Sequence, residues 1–206
     1  MNFELPKIYP ITDALLSKIS HVEQVEKLIK GGANFIQLRE KYASPQEFYK
    51  SAESALKLAR ARDVKIIIND RVDIALALKA DGVHLGQDDL PPAEARKILG
   101  GKAIIGFSTH NIEQAVTAIR FPIDYLAIGP IFTTGTKENP DAVVGLEDLR
   151  KVREATGNFP LVAIGGINLE NLREVYKAGA DSAAIISSLI SDTGKISENY
   201  KLFSSL

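Results

Sequence analysis

The chain's chemistry is most legible between Leu126 and Lys137, in the stretch LAIGPIFTTGTK. An apolar run passes into a loop that carries the hydroxyls of Thr133, Thr134 and Thr136, backbone N–H groups around Gly135, and the ammonium of Lys137. No general acid, base or nucleophile dominates it. Hydroxyls, amides and one cation suit an anion with several oxygens, such as a phosphate or diphosphate. A second glycine pair, Gly165-Gly166, follows another apolar run and permits close backbone approach to a ligand. Ile186, Ser187 and Ser188 can present N–H groups and hydroxyls from the other side.

A cationic group lies upstream. In Gln37-Leu38-Arg39-Glu40-Lys41 the residues Gln37, Arg39 and Lys41 share strand parity, so their side chains can face one mouth. As a solvated surface run the triplet would be unremarkable, but its place at the end of an apolar run favours the mouth. Asp70 and Asp89 offer hard oxygen ligands for Mg²⁺, an ion that takes few carboxylates, keeps several waters and bridges to substrate phosphates. Asp70 also reads as a helix N-cap, and one of Asp88 and Asp89 reads only as a loop or cap residue before Pro91-Pro92. Two anion regions result. One has Arg39, Lys41, Lys137 and an acidic pair, suited to a diphosphate; the other has hydroxyls and amides, suited to a monophosphate. Joining two phosphorylated molecules with loss of pyrophosphate accounts for both.

Only three histidines occur. His84 follows an apolar pair and reads as a core or supporting residue. His110, beside Asn111, reads as a helix-start residue, and His21 as a surface position. A multi-histidine metal site is not expected, and the absence of cysteine excludes disulfides, thiolate nucleophiles and Cys-metal centres.

The elements that must position these groups alternate. Short β-branched runs at 8–11, 35–38, 65–68, 82–85, 103–107, 125–128, 161–164 and 182–186 are nearly continuous in apolar character, as in parallel strands buried on both faces. Amphipathic segments of helical period separate them, at 22–30, 45–62, 72–79, 92–99, 112–119, 146–156, 169–178 and 194–203. Ser44-Pro45, Asn111 and Asn168 mark helix starts, and Gly31, Gly100 and Gly179 mark helix ends. Segments 31–34, 79–82 and 178–181 read as equivalent turns from helix to strand. Eight strand–helix pairs predict an α/β chain folded as one (β/α)₈ barrel over residues 1–206, with loops shorter than in the ~250-residue norm. An open doubly wound sheet is the alternative, but residues 10–14 lack the glycine-rich first loop it normally shows.

At 206 residues and 45% hydrophobic content the chain can bury one sizeable core. A formal net charge of −1 gives no sign of a nucleic-acid or membrane-surface binder. No apolar run approaches the ~20 residues of a membrane span. The N-terminus has no signal-peptide pattern, so a cytoplasmic location is expected. No fused partner domain is expected either. A homo-oligomer is compatible with the sequence, which does not specify one.

The whole set of motifs resembles the thiamine-phosphate synthase family along essentially the full chain. It comprises QLREK at 37–41, IIND at 67–70, DGVHLGQDDLP at 81–91, GFSTH at 106–110, GPIFTTGTK at 129–137, AIGGI at 163–167 and GADSAAIIS at 179–187. The resemblance implies a barrel that couples a hydroxymethylpyrimidine diphosphate to a thiazole phosphate, giving thiamine phosphate and pyrophosphate with Mg²⁺. It implies that Gln37, Leu38, Arg39, Glu40 and Lys41, with Asn69, Ser108 and Lys137, hold the pyrimidine diphosphate. Asp70 and Asp89 would be the metal ligands. Thr134, Gly135, Thr136, Gly166, Ile186 and Ser187 would hold the thiazole phosphate. Pyrophosphate would leave first, and the thiazole nitrogen would attack the resulting pyrimidine methylene cation. Arg39, Lys41 and Lys137 would stabilise the leaving charge. Thr133, where the family usually has proline, and Ser182 and Ser188 depart from the common pattern. The related thiazole tautomerases, which shift a proton without Mg²⁺ and could employ His110, are the nearest alternative. A phosphometabolite-binding regulator on an inactive barrel is another.

Overall fold

The structure, a computed structural model, describes residues 4–135 and 141–206. Its strands are β1 (Ile8–Asp13), β2 (Phe35–Arg39), β3 (Lys65–Asn69), β4 (Gly82–Leu85), β5 (Ile104–Thr109), β6 (Tyr125–Ile128), β7 (Leu161–Ile164) and β8 (Ser182–Ile185). All are parallel and neighbour one another in chain order, and β8 pairs with β1 through Ile8–Ala183, Tyr9–Ala184 and Pro10–Ile185. That closure settles the choice between a barrel and an open sheet. The helices are α1 (Ala14–Ser17), α2 (His21–Gly31), α3 (Pro45–Arg60), α4 (Val72–Leu78), α5 (Pro92–Leu99), α6 (Ile112–Ala118), α7 (Gly145–Thr156), α8 (Leu172–Lys177), α9 (Ser187–Ile190) and α10 (Ile196–Ser204).

Every strand was expected, with ends that differ by a residue or two. The short helices α1 and α9 carry too few turns to show a period and were not foreseen as elements. Ser44 caps α3 with a reciprocal bond from Glu47, and Asn111 caps α6 by accepting from the Gln114 N–H. Asn168 acts one turn early. Its Oδ1 accepts from the Glu170 and Asn171 N–H groups, which holds a turn and delays α8 to Leu172.

Period-two alternation divides the apolar residues into two cores. Ile36, Leu38, Ile66, Ile68, Val83 and Leu85 face outward onto the helices. Tyr9, Ile11, Phe35, Ile67, Ile104, Tyr125, Ala127, Val162 and Ala184 fill the barrel interior.

The floor of the barrel repeats one device. An aspartate just before each of β4, β6 and β8 accepts the backbone N–H at or near the start of the preceding strand. The bonds are Asp81 with Ile66 (2.8 Å), Asp124 with Ile105 (2.7 Å) and Asp181 with Leu161 (2.8 Å). Arg96 pairs with Asp124, and Arg153 with Asp181. Arg153 also donates to the Gly179 carbonyl (2.7 Å), the Phe159 carbonyl (3.0 Å) and the Gly157 carbonyl. Arg153→Ala strips these acceptors of a charged donor. It is expected to lower stability by about 2–3 kcal/mol, read as a shifted urea midpoint at unchanged slope.

Candidate active site

The C-terminal ends of the strands open into a cavity of about 510 Å³. Gln37, Arg39, Lys41, Asn69, Asp70, Asp89, Ser108, Thr134, Gly166, Ile186 and Ser187 all line it. Residues separated by up to 150 positions are thus brought together because each sits just past a parallel strand. Leu38 and Glu40 do not line it. Strand parity turns Leu38 outward, where it is fully buried against the helices. Glu40 turns the other way as well: its Oε1 accepts from the Tyr42 and Ala43 N–H groups (3.0 and 3.2 Å), tying down the loop after β2. Gly135 is exposed and outside the cavity wall. Thr136 and Lys137 lie outside the described residues.

The cationic side is already balanced by acids. Arg39 pairs with Asp13, a partner not foreseen, and Lys41 pairs with Asp70. Asp70 does not cap α4. It adopts φ +60°, a region that costs a non-glycine residue energy, and its N–H donates to the His84 carbonyl (2.8 Å). The constraint turns its carboxylate toward Lys41 and Asp89 and away from the helix. The Gly86 N–H donates to Asp89 Oδ2 (2.6 Å). Burial pushes the Asp89 carboxyl above the usual range; the Gly86 bond and Lys41 oppose that shift, and the neighbouring Asp70 carboxylate adds to it. Asp88 is exposed at the rim. Among the described residues no cluster of three or more His, Asp or Glu side chains could hold a metal. Two adjacent carboxylates do fit Mg²⁺, which takes few protein ligands and completes its shell with water and phosphate oxygens.

The opposite wall is built from backbone. Gly166 has φ +66°, and a Cβ there would meet the Thr133 carbonyl oxygen at 2.6 Å and the Phe132 Cβ at 2.7 Å. The loops after β6 and β7 therefore press together, with Thr134 and Ser187 facing the same space. Ser187 opens the short helix α9, directly after Ile186. The less usual Ser188 hydroxyl donates to the Ile167 carbonyl (2.9 Å), while Ser182 is buried in β8.

Beneath the mouth runs a polar chain that motif reading did not reveal. Gln37 Nε2 donates to the Tyr9 hydroxyl (2.9 Å), which bonds the Tyr125 hydroxyl (2.9 Å). The Tyr125 hydroxyl meets His84 Nδ1 (2.9 Å), and His84 Nε2 meets the Ser108 hydroxyl (2.8 Å). Room for the Tyr125 ring exists because residue 106 is glycine; a Cβ there would lie 2.0 Å from Tyr125 Cζ. Burial lowers the His84 pKa to about 4 despite the nearby Asp89, so the ring is neutral. Tyrosines inside apolar strand runs look like packing, and only closure of the barrel reveals their polar ends. Asn69 Nδ2 is buried at the cavity wall with no partner, a donor left for a ligand.

His110 also lines the cavity, with Nδ1 2.7 Å from the Gly129 carbonyl oxygen and 3.5 Å from Asp141. His21 is a correction: it is buried, not a surface residue. Thr12 Oγ1 lies 2.7 Å from its Nδ1 and Glu40 lies 3.3 Å from its Nε2, so both ring nitrogens have partners under the loop.

A closed (β/α)₈ barrel with polar, charged and glycine-loop residues gathered at the C-terminal ends of its strands has the architecture of a barrel-class enzyme. The chain belongs to the thiamine monophosphate synthase family, whose sequence profile matches residues 8–189. It is 46% identical over 185 residues to the thiamine-phosphate synthase of Chloroflexus aurantiacus, covering 89% of this chain and 85% of that one. To the thiamine-phosphate synthase of Syntrophomonas wolfei it is 47% identical over 184 residues, covering 89% and 88%. The solved thiamine phosphate pyrophosphorylase from Pyrococcus furiosus superposes with a TM-score of 0.86 at 39% identity, covering 97% of this chain and 94% of that one. Among the described residues no helix is long and apolar enough to cross a membrane.

Proposed function

We propose that this cavity joins 4-amino-2-methyl-5-(diphosphooxymethyl)pyrimidine to 4-methyl-5-(2-phosphooxyethyl)thiazole, giving thiamine phosphate and pyrophosphate. The observation that carries the reading is one cavity lined by two chemically different groups of residues, each suited to an anion. Arg39, Lys41 and the Asp70–Asp89 pair form one wall, and the Thr134, Gly166 and Ser187 cradle forms the other. A thiazole tautomerase handles a single monophosphate and has no use for the first wall. The Chloroflexus and Syntrophomonas relatives carry the synthase name, and the Pyrococcus structure the name thiamine phosphate pyrophosphorylase.

Arg39, Lys41 and Ser108 would hold the diphosphate, with the unpartnered Asn69 amide as a further donor. Asp70 and Asp89 would hold Mg²⁺, which when bound neutralises charge on the departing pyrophosphate. The bond between the pyrimidine methylene and the diphosphate oxygen breaks first, and its electron pair leaves with pyrophosphate. The thiazole ring nitrogen then supplies the pair for the new C–N bond. The phosphate cradle fixes the thiazole, so that alignment of the two rings supplies much of the rate. No proton has to leave before attack, because the thiazole nitrogen already carries the attacking lone pair.

Purified protein given both substrates and Mg²⁺ should release thiamine phosphate and pyrophosphate in equal amounts; absence of coupling overturns the reading. His110→Asn gives a second check. Coupling should persist to within about tenfold, since an essential proton shuttle would account for a 10²–10⁴-fold loss. Abolished coupling in a folded variant would reveal a proton-transfer step.

A further inference from the structure

The chain of bonds from Gln37 through Tyr9, Tyr125 and His84 to Ser108 has a direction. Each tyrosine hydroxyl carries one proton, and a neutral imidazole carries one. If every link is made, the protons run one of two ways. Where Gln37 donates through Nε2, Tyr9 donates to Tyr125 and Tyr125 donates to His84 Nδ1. His84 then donates from Nε2 to Ser108, and the Ser108 proton points into the cavity. Where the Gln37 amide is turned over, every donor becomes an acceptor and Ser108 spends its proton on His84. Mixed arrangements make one tyrosine oxygen accept twice and take its proton off the line of the chain, so they lack the continuous direction of the two complete chains. The links are all 2.8–2.9 Å, and Tyr9, Gln37, His84 and Tyr125 are buried.

The two ends of the chain both line the cavity. Resting on the function proposed above, the aminopyrimidine brings an exocyclic amine, which needs an acceptor. Gln37 supplies one through Oε1 only when Nε2 faces Tyr9, and that sets the forward direction. The diphosphate needs donors, and Ser108 is one only in that direction. We propose that Tyr9, Tyr125 and His84 are positioning residues forming a directional relay: recognition of the aminopyrimidine amine at Gln37 fixes the Ser108 hydroxyl as a donor to the diphosphate. No proton is transferred, since only the orientations of rotors and the histidine tautomer are selected. A pyrimidine that lacks the amine leaves the direction unselected and forfeits the Ser108 contact at the other end of the molecule.

The imidazole tautomer reports the direction. In ¹⁵N-histidine-labelled protein the His84 signals are identified by their loss in His84→Asn. Addition of the pyrimidine diphosphate without the thiazole phosphate should give the neutral tautomer protonated on Nε2. A neutral tautomer protonated on Nδ1, or an imidazolium, overturns the relay. Tyr125→Phe keeps the ring over Gly106 and removes the link. It should lower kcat about tenfold with the KM for thiazole phosphate unchanged. In its background Ser108→Ala should cost little more, whereas independent packing roles would make the two losses add, which would also overturn the proposal. Wild-type protein that fails to couple the substrates defeats the functional reading itself; normal coupling with the wrong tautomer defeats only the relay.

Discussion

Asp89→Asn and Asp70→Asn are each expected to lower turnover by about 10²–10³-fold, the scale of losing one preorganised charge-stabilising group. EDTA should reproduce the loss in the wild type, and added Mg²⁺ should reverse it. The reasoning is electrostatic. Asp70 is held at φ +60° with its carboxylate on Lys41, and Asp89 is drawn in by the Gly86 N–H. Burial and the neighbouring Asp70 carboxylate raise the proton affinity of Asp89, a strain that a bound divalent cation relieves. Asn at either position keeps the shape and removes the charge. Asp88→Asn, at the exposed rim, should cost less than threefold, within the range of an ordinary surface change. Steady-state coupling assays across a Mg²⁺ titration measure all three, and full activity in EDTA would remove the metal from the mechanism.

The second large effect is expected at Gly166. An alanine Cβ there would meet the Thr133 carbonyl oxygen at 2.6 Å while the backbone sits at φ +66°. The loop after β6 has to move, and with it Thr134. Gly166→Ala should raise the KM for thiazole phosphate about 100-fold, equivalent to losing one or two charge-assisted bonds to a phosphate. The affinity for the pyrimidine diphosphate should change little, because Arg39, Lys41 and Asp70 sit on the far wall. Equal losses for both substrates would mean that the two anion sites are not separate. Separate titration of each substrate by calorimetry makes the distinction.

The sequence by itself determined the barrel and most of the mouth. Eight β-branched runs alternating with amphipathic segments leave few topologies, and a polar residue just after a buried parallel strand must emerge at the strand's C-terminal end. Gln37, Arg39, Lys41, Asp70 and Asp89 were therefore legible from residue type and position, and Asn69 and Ser108 through the family resemblance. Leu38 and Glu40 belonged to the same motif yet turn out of the cavity, because strand parity and the loop after β2 direct their side chains elsewhere. Tertiary structure alone decided the partners. Arg39 meets Asp13, Tyr9 meets Tyr125 across 116 residues, and His21 is buried between Thr12 and Glu40. Local pattern reports which face a residue occupies, through a period set by the backbone. Which polar atom it meets depends on residues distant in the chain, and those distances are fixed only when β8 closes on β1.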